Sequence, residues 1–417
     1  MTVPPDARVI ELRGKFLTPG FVNTNIHLTP YFALEDFAGP DSLLVQGALD
    51  GMRTLLAHGV LTARDSYGIL PVLVAARRAA QGSAEPYPRL LLAGNILGWG
   101  GPWSYSFAGS GSEGPANPYQ RGLRTAIVQG MGEGLVDLAP DSLRLLLSAY
   151  LTRGPDFIKL GVTTHLARPS FLLFGPRALA ALVEEAHAGG RRVDAHAESV
   201  EGLRLAVEAG VDLLQHPETA GGARLPDDLL REIRERGVTC SIIPEGVTGA
   251  EWQAFAAHLA RGGRMWPAEG PPSYMEAVAD SLRRIGVDPA ARPRAPSVEW
   301  FRNRRANAEA LIRTGCRVTV ATDDVIGLPG RPLGRFGTTF APAVIGLVEL
   351  GMSSMEALIA ATRNGAIAAG LEDRIGTVER GKLADLLVFG ADPLADIANI
   401  RTLELVIRGG VPVTVPR

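Results

Sequence analysis

Residues 156–162 read DFIKLGV, 192–198 read RVDAHAE and 211–216 read VDLLQH, with helix-patterned segments at 176–189 and 200–210 between them. Short apolar runs that alternate with stretches of helical period are the mark of βα units on a parallel sheet. The segment 176–189 opens on Pro176 and closes on Gly189 and Gly190, the proline-start, glycine-stop asymmetry of a helix. Five more strand-like runs lie outside this centre: 20–28 (GFVNTNIHL), 60–65 (VLTARD), 89–97 (RLLLAGNIL), 238–244 (VTCSIIP) and 317–323 (RVTVATD). Helix-like segments at 226–237 and 303–315 separate the later ones. Eight alternations predict an α/β fold, a (β/α)8 TIM-like barrel rather than an open sheet.

A barrel takes ~250 residues, so a chain of 417 has room for a second module. Residues 7–17 (ARVIELRGKFL) and 375–415 are strand-like and turn-rich. Both chain ends are therefore expected to meet in one small β-sandwich, 1–19 with 371–417, beside a barrel over 20–370. Two irregular inserts, 98–119 and 261–297, read as loops that wall or cover a site.

With 46% hydrophobic residues and a formal charge of −2, the composition excludes disorder and argues against a nucleic-acid partner or a polybasic membrane surface. No window approaches the ~18 apolar residues of a membrane span, and MTVPPDARVIELRGK carries no apolar signal segment. Cys240 and Cys316 each sit inside an apolar run, and they read as buried free thiols in a reducing compartment. A cytoplasmic setting is expected.

In such a barrel the chemistry gathers where strands finish. The strand ends carry Asn25 and His27 on the first, Lys159 on the fourth, His196 on the fifth, His216 on the sixth and Asp323 on the eighth. Imidazole and carboxylate suit zinc and neighbouring divalent metals. Asn25 and His27 are two apart, so they share a face of their strand; taken singly, they read first as a loop cap and a satisfied core histidine. Lys159, Lys15 and Lys382 are the only lysines among 42 basic residues. A lysine inside an apolar strand is disfavoured as an ammonium, and its neutral amine can add CO2 to give a metal-binding carbamate. The plain alternative is a buried lysine paired with a carboxylate. His196 and His216 singly read as well as structural residues. Asp323 either caps a loop or holds a water and takes its proton. His165 follows Lys159 at the barrel mouth, while His58 and His187 precede helix-ending glycines and need no site.

Taken together, these residues resemble the metal-dependent amidohydrolase superfamily over nearly the whole chain. The matching stretches include GKFLTPGF (14–21), GVLTARD (59–65), the Lys159 strand, both histidine strands, ATD (321–323) and GTVERGKLADL (376–386). Most of that superfamily has His-x-His on the first strand. Asn25-Ile26-His27 instead resembles the branch containing phenylurea and thiocarbamate (molinate) hydrolases, which implies one metal per chain rather than two. Zinc is the first expectation, with cobalt or manganese as substitutes, together with a carbamate on Lys159. Prolidase-like relatives carry a carbonyl-polarising histidine where this chain has Gly100-Gly101-Pro102-Trp103. Relatives also begin with further strands before the equivalent of Gly14, and they assemble as homo-oligomers.

The expected activity is hydrolysis of a C–N or carbamoyl bond in a small apolar amide, urea, carbamate or thiocarbamate by a metal-activated water, with Asp323 moving the proton. Trp99, Trp103, Tyr105, Phe107 and His165 are the candidate pocket residues. One alternative is a prolidase-like dipeptidase or carboxypeptidase that uses Arg168 or the arginines of 261–297 to hold a carboxylate. The other is a metal-poor, non-catalytic scaffold.

Overall fold

The computed structural model describes residues 9–29, 41–101, 104, 106, 125–165, 170–260, 298–325 and 336–413. Strand β1 (Phe16–Pro19) leads directly into β2 (Phe21–His27), the first barrel strand. Around the barrel follow β3 (Val60–Asp65), β4 (Arg89–Leu92) with β5 (Ile96–Leu97), β6 (Phe157–Gly161), β7 (Arg192–His196), β8 (Leu213–Gln215), β9 (Thr239–Ile242), and β10 (Arg317–Val320) with β11 (Asp324–Val325). Every pairing in the two arcs β5 to β10 and β11-β2-β3-β4 is parallel. Thr24 Oγ1 donates to Val320 O at 2.9 Å and Asn23 Nδ2 to Thr322 Oγ1 at 2.9 Å, which ties the arcs together across β2 and β10. This is the (β/α)8 barrel that the alternation predicts.

The third and eighth strands are each split in two. Between β4 and β5 the Tyr150 hydroxyl donates to Ala93 O at 2.9 Å and accepts from Asn95 N at 3.1 Å. It lies where a side chain on Gly94 would stand, 2.0 Å from a notional Cβ, and Gly94 takes φ 79°. Only glycine fits a left-handed position with a hydroxyl in its side-chain space.

Helices Pro176–Ala188, Val200–Ala209, Asp227–Glu235 and Val298–Thr314 lie where the sequence pattern expects them, and Leu70–Gln81 and Pro140–Leu151 also follow strands. In Pro176–Ala188, Leu179, Leu182, Val183 and Ala186 form the buried stripe at helical spacing. The helix expected at 303–315 covers Val298–Thr314 among the described residues, since a periodic pattern locates a helix better than its ends.

The chain ends meet in one antiparallel sheet of β1, β12 (Leu386–Phe389), β13 (Leu403–Arg408) and β14 (Val411–Val413). Phe16 faces Phe389 and Pro19 faces Leu386 across its first pair. Gly20 N donates to Asp385 O at 2.8 Å, and the Phe21 ring packs on Phe340 and Phe389. Both contacts hold the sheet against the barrel.

One expectation is overturned. Cys240 and Cys316 are joined in a disulfide, and among the described residues no free cysteine remains. Cys240 lies on β9 opposite Val318, so Cys316 just ahead of β10 comes within 6.3 Å of it, Cα to Cα. That span suits a bridge. The argument from free thiols to a reducing compartment falls with it. Among the described residues no helix is long and apolar enough to cross a membrane.

Candidate metal centre

The pleat of β2 sends Asn23, Asn25 and His27 to one side. Asn23 is used in barrel closure, while Asn25 and His27 both reach Asp323. Asn25 Nδ2 donates to Asp323 Oδ1 at 2.7 Å, and His27 Nε2 lies 2.9 Å from the same oxygen. Asn25 Oδ1 is buried with no hydrogen-bond partner among the described residues. Asp323 sits in the gap between β10 and β11 at φ 55°, and its N–H donates to Asn25 O at 3.0 Å. Burial pushes its carboxyl up, but the His27 hydrogen bond and the positive field of its neighbours outweigh that and hold it well below the usual carboxylate range. Asp323 is therefore an ionised acceptor.

Across the mouth, His196 ends β7 and His216 follows β8 at φ 38°. His196 Nδ1 and His216 Nε2 face each other at 3.0 Å. Desolvation lowers His196 to about 4 and drives His216 well below the ordinary imidazole value, so both rings are neutral near pH 7. Two of the four non-glycine residues at positive φ among the described residues, His216 and Asp323, thus belong to this cluster. Such backbone positions cost ~1–3 kcal/mol each and gather at functional sites.

Lys159 on β6 is 1% exposed. Among the described residues no carboxylate lies in ion-pair reach of its amine; Asp194, its register neighbour on β7, is bound to Arg64 at 2.9 Å and to Gln215 Nε2 at 2.9 Å. Burial lowers the ammonium to about 8 against the pull of Asp194 and Asp323. Arg64 lies 3.9 Å over the Phe157 ring and gives Nη2 to Asp194 at 2.9 Å, while its Nε and Nη1 are buried with no hydrogen-bond partner among the described residues.

Trp99 and His165 line one wall. The Trp99 ring stacks on His165 (centroids 4.9 Å) and meets His196 edge-on (4.6 Å), while its Nε1 donates to Thr163 O at 2.9 Å. Gly161 on β6 makes room for it, since a Cβ there would stand 2.2 Å from Trp99 Nε1. His165 Nδ1 is 2.7 Å from Glu198 Oε1, and His196 Nε2 is 3.4 Å from the same atom. The donor atoms of His165, His196 and Glu198 lie within 4.8 Å of one another, a grouping that can itself hold a cation.

Neutral imidazoles, an ionised carboxylate, an unpartnered amide oxygen and a readily neutralised amine fit a divalent metal. The Amidohydrolase family pattern matches residues 16–413. The chain belongs to the amidohydrolase family. As a member it is an enzyme, and two solved structures similar to it are of hydrolases. The structure of molinate hydrolase aligns at TM-score 0.80 and 26% identity, covering 100% of this chain and 86% of that one. Phenylurea hydrolase B aligns at TM-score 0.77 and 26% identity, covering 99% and 88%. An imidazolonepropionase from Phocaeicola vulgatus is 37% identical over 109 residues, which spans 25% of this chain and only 25% of that protein.

In this amidohydrolase two sets of the strand-end residues are in contact, Asn25 and His27 with Asp323 and His196 with His216, and Lys159 lies within electrostatic reach of Asp323, His196 and His216. Trp103, Tyr105, Phe107, Arg168 and residues 261–297 lie outside the described residues. His58 Nδ1 lies 2.8 Å from Thr54 O, and His187 Nε2 2.8 Å from Asp212 Oδ2, both away from the mouth. Two residues at the mouth escaped the sequence reading. Glu198 stands two positions beyond His196, the same spacing that pairs Asn25 with His27. Tyr67, buried just after β3, sets its ring edge-on to His27 (6.2 Å) and Trp99 (6.3 Å) and carries no sequence signal beyond its strand-end position.

Proposed function

We propose that this amidohydrolase hydrolyses a C–N or carbamoyl bond, other than a peptide bond, in a small, largely apolar amide, urea, carbamate or thiocarbamate. The observation that carries the reading is the pair of neutral imidazoles, His196 Nδ1 and His216 Nε2, facing each other at 3.0 Å, together with a buried lysine that makes no ion pair among the described residues. His196, His216 and a carbamate on Lys159 would hold one divalent cation, zinc first, with cobalt and manganese compatible with the same donors. Bound there, the cation supplies a water of lowered pKa and polarises the scissile carbonyl. Asp323 accepts the proton of the attacking water and returns it to the departing nitrogen or sulfur. Asn25 fixes the Asp323 carboxylate through its Nδ2, and a neutral amide is a weaker ligand than imidazole, which favours a single metal. Trp99 and Tyr67 give the mouth an aromatic wall suited to an apolar substrate. The likeness to molinate hydrolase and phenylurea hydrolase B supports this substrate class.

The test is a metal count paired with a substrate panel on one preparation. About one metal per chain, with turnover of thiocarbamates or phenylureas above Xaa-Pro dipeptides, is expected. Preference for Xaa-Pro or acyl-amino acids would favour the peptidase reading. Metal well below one per chain after growth with zinc or cobalt would favour a scaffold.

A further inference from the structure

We infer that Glu133 is a positioning residue for the wall of the mouth: through Ser106 its carboxylate sets Trp99 and His165 against each other, and so sets which apolar groups fit there. That role presupposes the proposed function, which puts the substrate at this mouth. Ser106 ties three segments together. Its backbone N–H and its hydroxyl both donate to Glu133 Oε1, at 2.8 and 2.5 Å. Its hydroxyl oxygen accepts from Gly100 N at 2.8 Å, one residue beyond Trp99. Its carbonyl accepts from His165 N at 2.8 Å. The loop after β5 and the loop after β6 therefore share one hub, buried at 1% exposure, and the Glu133 carboxylate holds it.

Both rings carried by these loops depend on that hub. Trp99 is 2% exposed, whereas the His165 side chain keeps 21% of its surface open. An apolar substrate group thus meets the His165 ring, with Trp99 stacked behind it at 4.9 Å between centroids. Glu133 opens the short turn Glu133–Leu135, and Gly98 N donates to Met131 O at 3.1 Å just ahead of it. A Cβ on Gly100 would stand 2.7 Å from the Glu133 carboxyl carbon, so the carboxylate lies directly against the backbone of the Trp99 turn. A carboxylate acceptor makes hydrogen bonds about twice as strong as a neutral one does. Without Glu133, the Ser106 N–H and hydroxyl lose that acceptor in a buried place, and the turn must move to satisfy them. Moving Ser106 pulls on Gly100 and His165 together. The aromatic wall then shifts, while Asn25, His27, Lys159 and His196 stay on their strands. A carboxylate that only tied down its own turn would change stability and leave substrate choice alone.

The experiment compares full-length, zinc-loaded wild type, Glu133→Ala and Glu133→Gln on two S-ethyl thiocarbamates, one N-phenyl and one N-methyl. In Glu133→Ala the N-phenyl KM is expected to rise about tenfold, with the N-methyl KM within about twofold, kcat within about threefold and the metal count unchanged. Glu133→Gln keeps one acceptor oxygen and should recover most of the N-phenyl KM. A second readout needs no turnover. The His165 ring C–H resonance, assigned by its loss in His165→Gln, is expected to be displaced by the Trp99 ring current in the wild type. In Glu133→Ala it should move back towards the free-imidazole position. Ser106→Ala removes only the hydroxyl and carries both measurements if Glu133→Ala does not fold. An unmoved His165 resonance in the folded variant overturns the inference. So does an equal rise in KM for both substrates, or a joint loss of kcat and metal. A wild type that turns over neither thiocarbamate refutes the proposed function instead, and the His165 resonance still decides the role of Glu133.

Discussion

Carbamate formation consumes a free amine, and the structure sets how much of it Lys159 presents. A lysine at the ordinary 10.5 is about 0.03% neutral at pH 7. Burial brings Lys159 to about 8, which makes about 9% neutral at pH 7, a gain of about 300-fold. The fraction is about 1% at pH 6, half at pH 8 and about 90% at pH 9. Amine plus CO2 gives the carbamate and one proton, so at fixed dissolved CO2 the CO2-dependent rate of zinc uptake by metal-free protein should rise about ninefold from pH 6 to 7 and level off above pH 8–9. The ligand histidines do not blur this profile, because His196 near 4 and His216 well below its ordinary value are neutral throughout. Asp194→Asn removes a charge that raises the lysine, so it should move the rise to lower pH. Lys159→Ala should lose the CO2 dependence and retain neither metal nor turnover. A flat profile between pH 6 and 9, or a rise that continues past pH 10, would refute the reasoning, as would full turnover in the alanine variant.

Four further outcomes are expected. Asp323→Asn should lower kcat by about 10²–10⁴-fold while zinc, counted by mass spectrometry, stays above half an equivalent; equal kcat would remove Asp323 from proton transfer. Asn25→His should raise the count towards two metals per chain with the reaction unchanged; a count that stays at one means that Asn25 does not limit occupancy. Asp194→Asn strands the buried Arg64 guanidinium, 1% exposed, and should cost about 3–5 kcal/mol of unfolding free energy in guanidinium titrations; a loss below 1 kcal/mol would show that the pair relaxes. Breaking the Cys240–Cys316 bridge, which closes a separation of 76 residues, should cost up to about 4.5 kcal/mol by the chain-entropy estimate. Coincident unfolding curves with and without reductant would contradict that cross-link.

Much of this enzyme was determined by the sequence alone. Strand alternation, helix-stop glycines and the two-residue spacing of Asn25 and His27 are local periodicities, and a local period survives without knowledge of the fold. The six candidate strand-end residues could be named for the same reason: parallel barrel strands all finish at one end. Tertiary structure decided what depends on atoms far apart in the chain. Cys240 and Cys316 became a bridge only because β9 and β10 pair in register. The third strand broke only because Tyr150 puts its hydroxyl where Gly94 has no side chain. Asp323 reaches both Asn25 and His27 only by taking a left-handed backbone that no composition announces. Which imidazole nitrogen faces a neighbour, and which faces Glu198, follows from ring orientations set by packing across three strands, and distances of this kind have no counterpart in a linear pattern.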